Sequence, residues 1–198
     1  MFVMSGPSGS GKSTLARRLL ESIPGLSFSV SFTTRARREG EKNEVDYHFV
    51  DDATFDRMVD EGAFLEWARV HDRRYGTGRA VTREALNKAD LLLDVDVQGA
   101  EQIREADVDM VSIFILPPDY ETLEQRLRGR QSEAAAQLEG RLAVARQELE
   151  EYRHYDYLVI NDDLGRAFVE IDAIVRAERR RRERCAGDAE RVLGTLPR

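Results

Sequence analysis

Gly6-Pro7-Ser8-Gly9-Ser10-Gly11-Lys12-Ser13 follows the apolar Met1-Phe2-Val3-Met4-Ser5 and runs into Thr14 and the helically spaced Leu15, Leu19 and Leu20. The eight residues match G-x-x-x-x-G-K-[ST] with an apolar strand before them and a helix after them, the context that gives the pattern meaning. The glycines let the backbone turn so that successive N–H groups converge on phosphate oxygens, and the following helix offers its positive N-terminus. Lys12 can reach the β- and γ-phosphates of a nucleoside triphosphate, and the Ser13 hydroxyl can ligate Mg²⁺. Chance produces the pattern on the order of once in a hundred chains of this size, which sets aside a plain glycine-rich turn. Residues 6–14 are therefore expected to hold the phosphates of ATP.

Outward from this loop, apolar runs alternate with amphipathic stretches. The patterning predicts strands at 1–5, 27–33, 47–50, 64–70, 91–95, 110–116 and 157–160. It predicts helices at 13–21, 52–61, 82–89, 98–106, 119–128, about 138–153 and 165–184, with Asp119 capping the fifth. Leu91-Leu92-Leu93-Asp94-Val95 is continuous enough to be a central parallel strand covered on both faces. Asp96, at its end, stands where a metal-facing carboxylate belongs in a phosphate-binding fold. Strands alternating with helices predict an α/β fold with a parallel sheet and right-handed crossovers. The stretch from about 34 to 80 breaks that rhythm with short strands at hairpin-like spacing and reads as an inserted lobe.

Bulk properties narrow the class. A chain of 198 residues, 41% of them hydrophobic, fits one compact domain with a small lobe. No apolar run reaches the roughly 18 residues of a membrane span, and the N-terminal residues read as a buried strand with no charged leader, so a cytoplasmic location is expected. A net charge of −7 argues against a general nucleic-acid binder. Cys185 has no partner for an internal disulfide, and His48, His71 and His154 show no zinc-ligand spacing. Only Lys12, Lys42 and Lys88 are lysines, and the arginine-rich run 176–184 reads as a solvated helix end.

Further blocks point to one acceptor. Ser31-Phe32-Thr33-Thr34-Arg35-Ala36-Arg37-Arg38-Glu39-Gly40-Glu41, followed by Asp46-Tyr47-His48-Phe49-Val50, resembles the guanylate kinase signature T-T-R-x-x-R-x-G-E…D-Y-x-F-V. Phe64-Leu65-Glu66-Trp67-Ala68, Tyr75-Gly76-Thr77, Leu93-Asp94-Val95-Asp96-Val97-Gln98-Gly99 and Asn161-Asp162-Asp163 resemble that family's other blocks, in order, over roughly residues 2–180. The resemblance implies a P-loop NTPase-type parallel sheet with flanking helices, an inserted GMP-binding lobe at about 34–80 and a lid at about 129–152. The core would then comprise 1–33, 81–128 and 153–185. It implies Mg²⁺-dependent transfer of the ATP γ-phosphate to GMP, with ATP and GMP as the partners and neither nucleic acid nor membrane among them. Monomer and homo-oligomer both stay open.

The same resemblance implies residue roles that suit each side chain. Arg35 and Arg38 would grip the GMP phosphate, since guanidinium forks match phosphate oxygens. Tyr47 and Tyr75 would add hydroxyl donors, and Glu41 would orient the arginines. Glu66 would accept from guanine N1–H and the 2-amino group, while Ser31 and Thr77 would donate to O6. Adenine offers neither donor on that edge, and a polar site of this kind discriminates by about 10⁴-fold or more. Asp94 would contact the acceptor nucleotide, and Ser13 and Asp96 would face the metal. Lys12, Arg130 and Arg141 would neutralise charge on the transferring phosphoryl group, with Arg146 a further candidate. Arg126 and Asn161 would contact ATP.

The chain departs from the family pattern in several places. Arg37 replaces a usual proline, Phe32 a small residue and Glu44 a frequent glycine. Gln131 and Ala134-Ala135-Ala136 replace a glycine and an acidic stretch, which favours a more helical lid. The residues also bear on two rival readings. A binding module that has lost catalysis would lack some of Lys12, Ser13, Asp96, Arg130 and Arg141, yet all are present. A kinase for a ribose phosphate would not need Ser31, Glu66 and Thr77.

Overall fold

Four residues, Phe2, Val3, Met4 and Ser5, form the strand around which the rest is arranged. The computed structural model describes residues 1–70, 72–128 and 135–196. His71, Arg130, Gln131 and Ala134 lie outside the described residues.

In chain order the first elements are β1 (Phe2–Ser5), α1 (Lys12–Ser22), β2 (Leu26–Phe28), β3 (Phe32–Thr33), β4 (His48–Phe49) and α2 (Asp52–Asp60). Next come β5 (Phe64–Val70), β6 (Arg73–Gly78), α3 (Arg79–Leu86), β7 (Asp90–Asp94), α4 (Val97–Glu105) and β8 (Val111–Leu116). The last are α5 (Tyr120–Arg128), α6 (Ala135–Glu150), a 3₁₀ turn (Glu151–His154), β9 (Tyr157–Ile160), α7 (Leu164–Glu178) and α8 (Arg182–Leu193).

The expected parallel sheet is present, with order β2-β7-β1-β8-β9 and every neighbouring pair parallel. Successive strand residues face opposite sides. Phe2, Met4 and Leu92 pack with Leu15, Leu19, Ile171 and Val175 of α1 and α7. Val3, Leu91 and Leu93 pack instead with Leu65, Ala100 and Ile103. Both faces are thus buried by apolar side chains, which is why β1 and β7 read as unbroken hydrophobic runs. A third cluster joins Leu123 and Leu127 of α5 to Leu142 and Ala145 of α6.

Residues 32–78 hold a second, four-stranded sheet of order β4-β3-β6-β5. β6 pairs antiparallel with both β3 and β5, while β3 and β4 run parallel. The single strand expected at 27–33 is in fact two. β2 ends at Phe28, Ser29 N–H still donates to Leu92 O at 3.1 Å, and Phe32–Thr33 then pair with β6. The chain crosses from one sheet to the other there, and Ser31 lies at the crossing.

Patterning did not disclose β6, because its inward positions are occupied by Arg74, Gly76 and Gly78 rather than by apolar side chains. Arg74, only 8% exposed, lies 4.9 Å from the Phe55 ring and forms ion pairs with Asp52 and Asp56, so a buried charge is matched by two carboxylates of α2. The helix expected at 82–89 begins earlier, where Arg79 N–H bonds Ala63 O at 2.8 Å just after β6. The long helix expected at 165–184 breaks into two. Arg179 donates to Asp90 and to Pro24 O, fixing the end of α7, while Arg184 pairs with Asp109 at 3.7 Å. The arginine run is therefore partly a set of pins onto the core rather than only a solvated helix end. Among the departures, Glu44 adopts φ 65°, a left-handed conformation that explains why glycine suits the position, and Phe32 stacks on His48 with centroids 4.5 Å apart.

Leu92 is fully buried in the sheet, so Leu92→Ala is expected to lose about 2–5 kcal/mol of stability. Urea unfolding should show a lower midpoint at unchanged slope. A midpoint equal to the parent's would contradict the packing described.

Candidate active site

The phosphate loop is shaped by what lies behind it. Gly6 has φ 141°, and a Cβ there would stand 2.3 Å from Ile115 O of β8. Gly11 has φ 95°, and its Cβ would stand 2.2 Å from Asn161 Nδ2. No L side chain fits either place, so the loop lies directly against β8 and Asn161. Ser10 N–H closes the turn onto Pro7 O at 3.1 Å, and Thr14 and Leu15 N–H return to Gly11 O to start α1. Lys12 Nζ donates to Gly6 O at 2.6 Å, folding back over the loop.

Arg126 and Asn161 stand behind this loop. Asn161, 4% exposed, donates through Nδ2 to Ser10 O at 2.7 Å. Arg126 donates to Ser10 O at 3.4 Å and to Asn161 O at 3.0 Å. In this arrangement they support the loop backbone. Arg141, from α6, reaches the loop's outer side and donates to Ser8 Oγ at 3.3 Å. Arg146 instead lies over the Tyr120 ring at 5.6 Å.

Two adjoining cavities share this end of the sheet. One, of about 180 Å³, is lined by residues 6–13 with Asp96 and Glu148. The other, of about 280 Å³, brings together Ser31, Tyr47, Glu66, Tyr75, Asp94 and Asp96, with Phe28, Ala68 and Val70 as apolar wall. Asp96 borders both. A further cavity of about 370 Å³, beside Met1, Leu65, Arg79 and Arg83, contains none of these groups.

Asp94 and Asp96 have different partners in the structure. Ser13 Oγ donates to Asp94 Oδ2 at 2.8 Å, so Asp94 is the carboxylate in contact with the loop serine. Asp96 caps α4, with Oδ1 accepting from Gly99 N–H at 2.7 Å. β7 ends at Asp94, so the chain has turned by Asp96. Burial raises the Asp94 carboxyl against the opposing pull of Lys12 and Ser13.

In the second cavity Glu66 is 7% exposed and accepts from Thr77 Oγ1 at 2.6 Å across the β5–β6 pair. Burial pushes its pKa up to about 7; the Thr77 hydrogen bond opposes this and Asp96 adds to it. Tyr47 and Tyr75 meet edge to face at 5.9 Å, and burial raises the Tyr47 hydroxyl. Arg35 is clasped by Glu41 through two bonds of 2.7 and 3.0 Å, which raise the guanidinium and lower the carboxylate. Glu41 also accepts Arg38 N–H at 2.8 Å, while the Arg38 side chain is exposed.

Residue spacing alone did not single out Phe28, Ala68, Val70, Gln102 or Glu148. Gln102 brackets Trp67 from α4, giving and accepting at 3.0 Å, and so holds β5 beside Glu66. Glu148 carried one usable signal, its position seven residues, about two helical turns, beyond Arg141.

A glycine-rich phosphate cradle on a parallel sheet, next to a polar cavity with a buried carboxylate, defines a P-loop phosphotransferase with donor and acceptor sites side by side. The comparisons with known proteins agree and go further. The guanylate kinase family model matches residues 1–178. A guanylate kinase of Syntrophotalea carbinolica is 50% identical over 194 residues, covering 98% of this chain and 92% of its own. One of Chromohalobacter salexigens is 45% identical, covering 99% and 92%. The crystal structure of guanylate kinase from Anaplasma phagocytophilum superposes with a TM-score of 0.70 at 36% identity, covering 91% of this chain and 86% of that one. The chain belongs to the guanylate kinase family.

Glu66 links this second cavity to stability. Its carboxyl moves from an ordinary 4.5 to about 7 on folding, so the native state binds this proton more tightly than the unfolded chain. The stability it contributes is fully present below about pH 4.5 and is lost as pH rises through about 7, at a cost on the order of 3 kcal/mol. Glu66→Gln, neutral throughout, should therefore melt near the parent at about pH 5 and several degrees above it at about pH 8. A melting-temperature difference that does not change with pH would refute this electrostatic assignment.

Proposed function

We propose that this protein transfers the γ-phosphoryl group of ATP to the phosphate of GMP, giving ADP and GDP. The observation that carries the acceptor assignment is Glu66, a buried carboxylate in the cavity adjoining the phosphate loop. Such a group accepts from the N1–H and 2-amino group of guanine. An adenine in its place would leave it buried without donors, a loss the site would feel fully. Ser31 and Thr77 complete the reading of the base. Tyr47, Tyr75, Arg35 and Arg38 take the GMP phosphate, and Glu41 holds Arg35 in place.

The donor's phosphates lie along residues 6–14, with Lys12 on the β- and γ-phosphates. Arg141, with Arg130, neutralises charge as the phosphoryl group moves. Arg126 and Asn161 act on ATP through the Ser10 backbone that they support. No His or Cys among the described residues lines either cavity, which favours direct in-line transfer over a phosphorylated enzyme.

Mg²⁺ fits this site. The Ser13 hydroxyl and Asp94 carboxylate meet at 2.8 Å, and both are hard oxygen donors. Among the described residues no group of three or more His, Cys, Asp or Glu could hold a metal, which suits an ion that takes most of its ligands from phosphates and water. Ser13 and Asp94 would hold it, with Asp96 beside them. Bound there, the ion neutralises charge on the β- and γ-phosphate oxygens.

Residues 34–80 then form the GMP-binding lobe and 129–152 the lid, whose closure keeps water from the γ-phosphate. The reaction belongs in the cytoplasm, and no described helix is long and apolar enough to cross a membrane.

The test is ADP formation from MgATP with GMP, AMP, CMP, UMP or ribose phosphate as acceptor. GMP alone should support turnover, and Lys12→Ala should abolish it. Glu66→Ala should lower kcat/KM for GMP at least roughly tenfold, as expected for a charged hydrogen bond worth about 1.5–3 kcal/mol. Equal use of AMP, or an unchanged kcat/KM for GMP in Glu66→Ala, would overturn the assignment.

A further inference from the structure

The phosphate loop faces an acidic side chain of the protein itself. Glu148 projects from α6 into the cavity lined by residues 6–13. Its carboxylate borders the loop on the Ser8 side of that cavity and lies within electrostatic reach of Lys12. Lys12 and the loop N–H groups are donors of the kind that cradle phosphate oxygens. Arg141, Ala145 and Glu148 fall on one helical face, at i, i+4 and i+7. Ala145, Leu142 and the partly buried Leu138 and Leu149 hold the helix against Leu123 and Leu127 of α5. Arg141 fastens the same face to Ser8 Oγ at 3.3 Å. The helix thus sets a carboxylate on the loop's own anion seat, where burial raises its pKa despite Lys12 and the Ser8 backbone.

We propose that Glu148 is an internal competitor for the ATP phosphates: its carboxylate occupies the loop cavity beside Ser8 and Lys12 until the triphosphate displaces it. This rests on the assignment of residues 6–14 as the ATP cradle. Two anions cannot share that seat, because a carboxylate beside a phosphate oxygen in a partly desolvated site is strongly repelled. ATP binding therefore requires Glu148 to turn away or α6 to shift. The affinity for ATP is lowered by the strength of the contact that must be broken. Occupation of the donor site is thereby coupled to the helix that carries Arg141. Asp96 borders the same cavity but has its Oδ1 committed to the Gly99 N–H, so it does not substitute for Glu148 at Ser8.

Calorimetric titration of MgATP, without GMP, into the parent, Glu148→Gln and Glu148→Asp tests this. Glu148→Gln keeps the shape of a half-buried side chain and removes only the charge, and should bind MgATP about tenfold more tightly, the effect of removing one charge beside the phosphates. Glu148→Asp withdraws the carboxylate by one methylene and should also bind more tightly, by a smaller factor. GMP affinity, measured in the same samples, should stay at the parent value, which also verifies folding. In steady state, KM for ATP should fall while KM for GMP does not move. MgATP binding that is unchanged or weaker in Glu148→Gln would overturn the proposal. Absence of MgATP binding to the parent would instead refute the cradle assignment itself, so the two failures are distinguishable.

Discussion

The contact of the phosphate loop with β8 and Asn161 is the constraint on which the rest of the site depends. Gly6 lies so close to Ile115 O, and Gly11 so close to Asn161 Nδ2, that the backbone has one path open to it. That path rests on β1, whose two faces are buried against α1 and α7 on one side and α4 and β5 on the other. Ser10 O is then held from behind by Arg126 and Asn161. Pro7 O is taken by Ser10 N–H and Gly6 O by Lys12 Nζ, so three of the loop's carbonyls are fixed by the protein itself. Phosphate recognition by backbone needs such preorganisation, since a loop that had to be ordered on binding would lose that entropy from its affinity.

A second set of interactions builds the neighbouring cavity. Glu66 sits on β5, held laterally by Gln102 and bonded to Thr77 of β6, with its acidity shifted by burial. Asp96 raises Glu66 electrostatically and borders the phosphate cavity as well. The two cavities are thereby linked by charge as well as by proximity. Arg74 performs a structural task beside it, tying β6 of the small sheet to α2 through Asp52 and Asp56.

Much of this was legible in the sequence where the determining signals are local. The phosphate loop depends on spacing within eight residues, and the strands at 64–70 and 157–160 on uninterrupted patterning. β6 was not legible, since arginine and glycine occupy its inward positions and only cross-strand partners reveal why. The split of 27–33 follows from competition between two sheets for adjacent residues, which periodicity cannot express. The partners of Asp94 and Asp96 were not legible, since a strand-end pattern does not show which carboxylate meets Ser13 and which caps the next helix. Arg126, Asn161 and Glu148 act across long sequence distances, where one residue's identity says little about which side of the loop it will meet.

The most direct measurement is ³¹P NMR of MgATP and GMP mixed with a catalytic amount of the protein. Resonances of ADP and GDP should grow in equal amounts as ATP and GMP decline, without inorganic phosphate. ADP appearing together with inorganic phosphate while GMP persists, or a spectrum that does not change, would contradict the account.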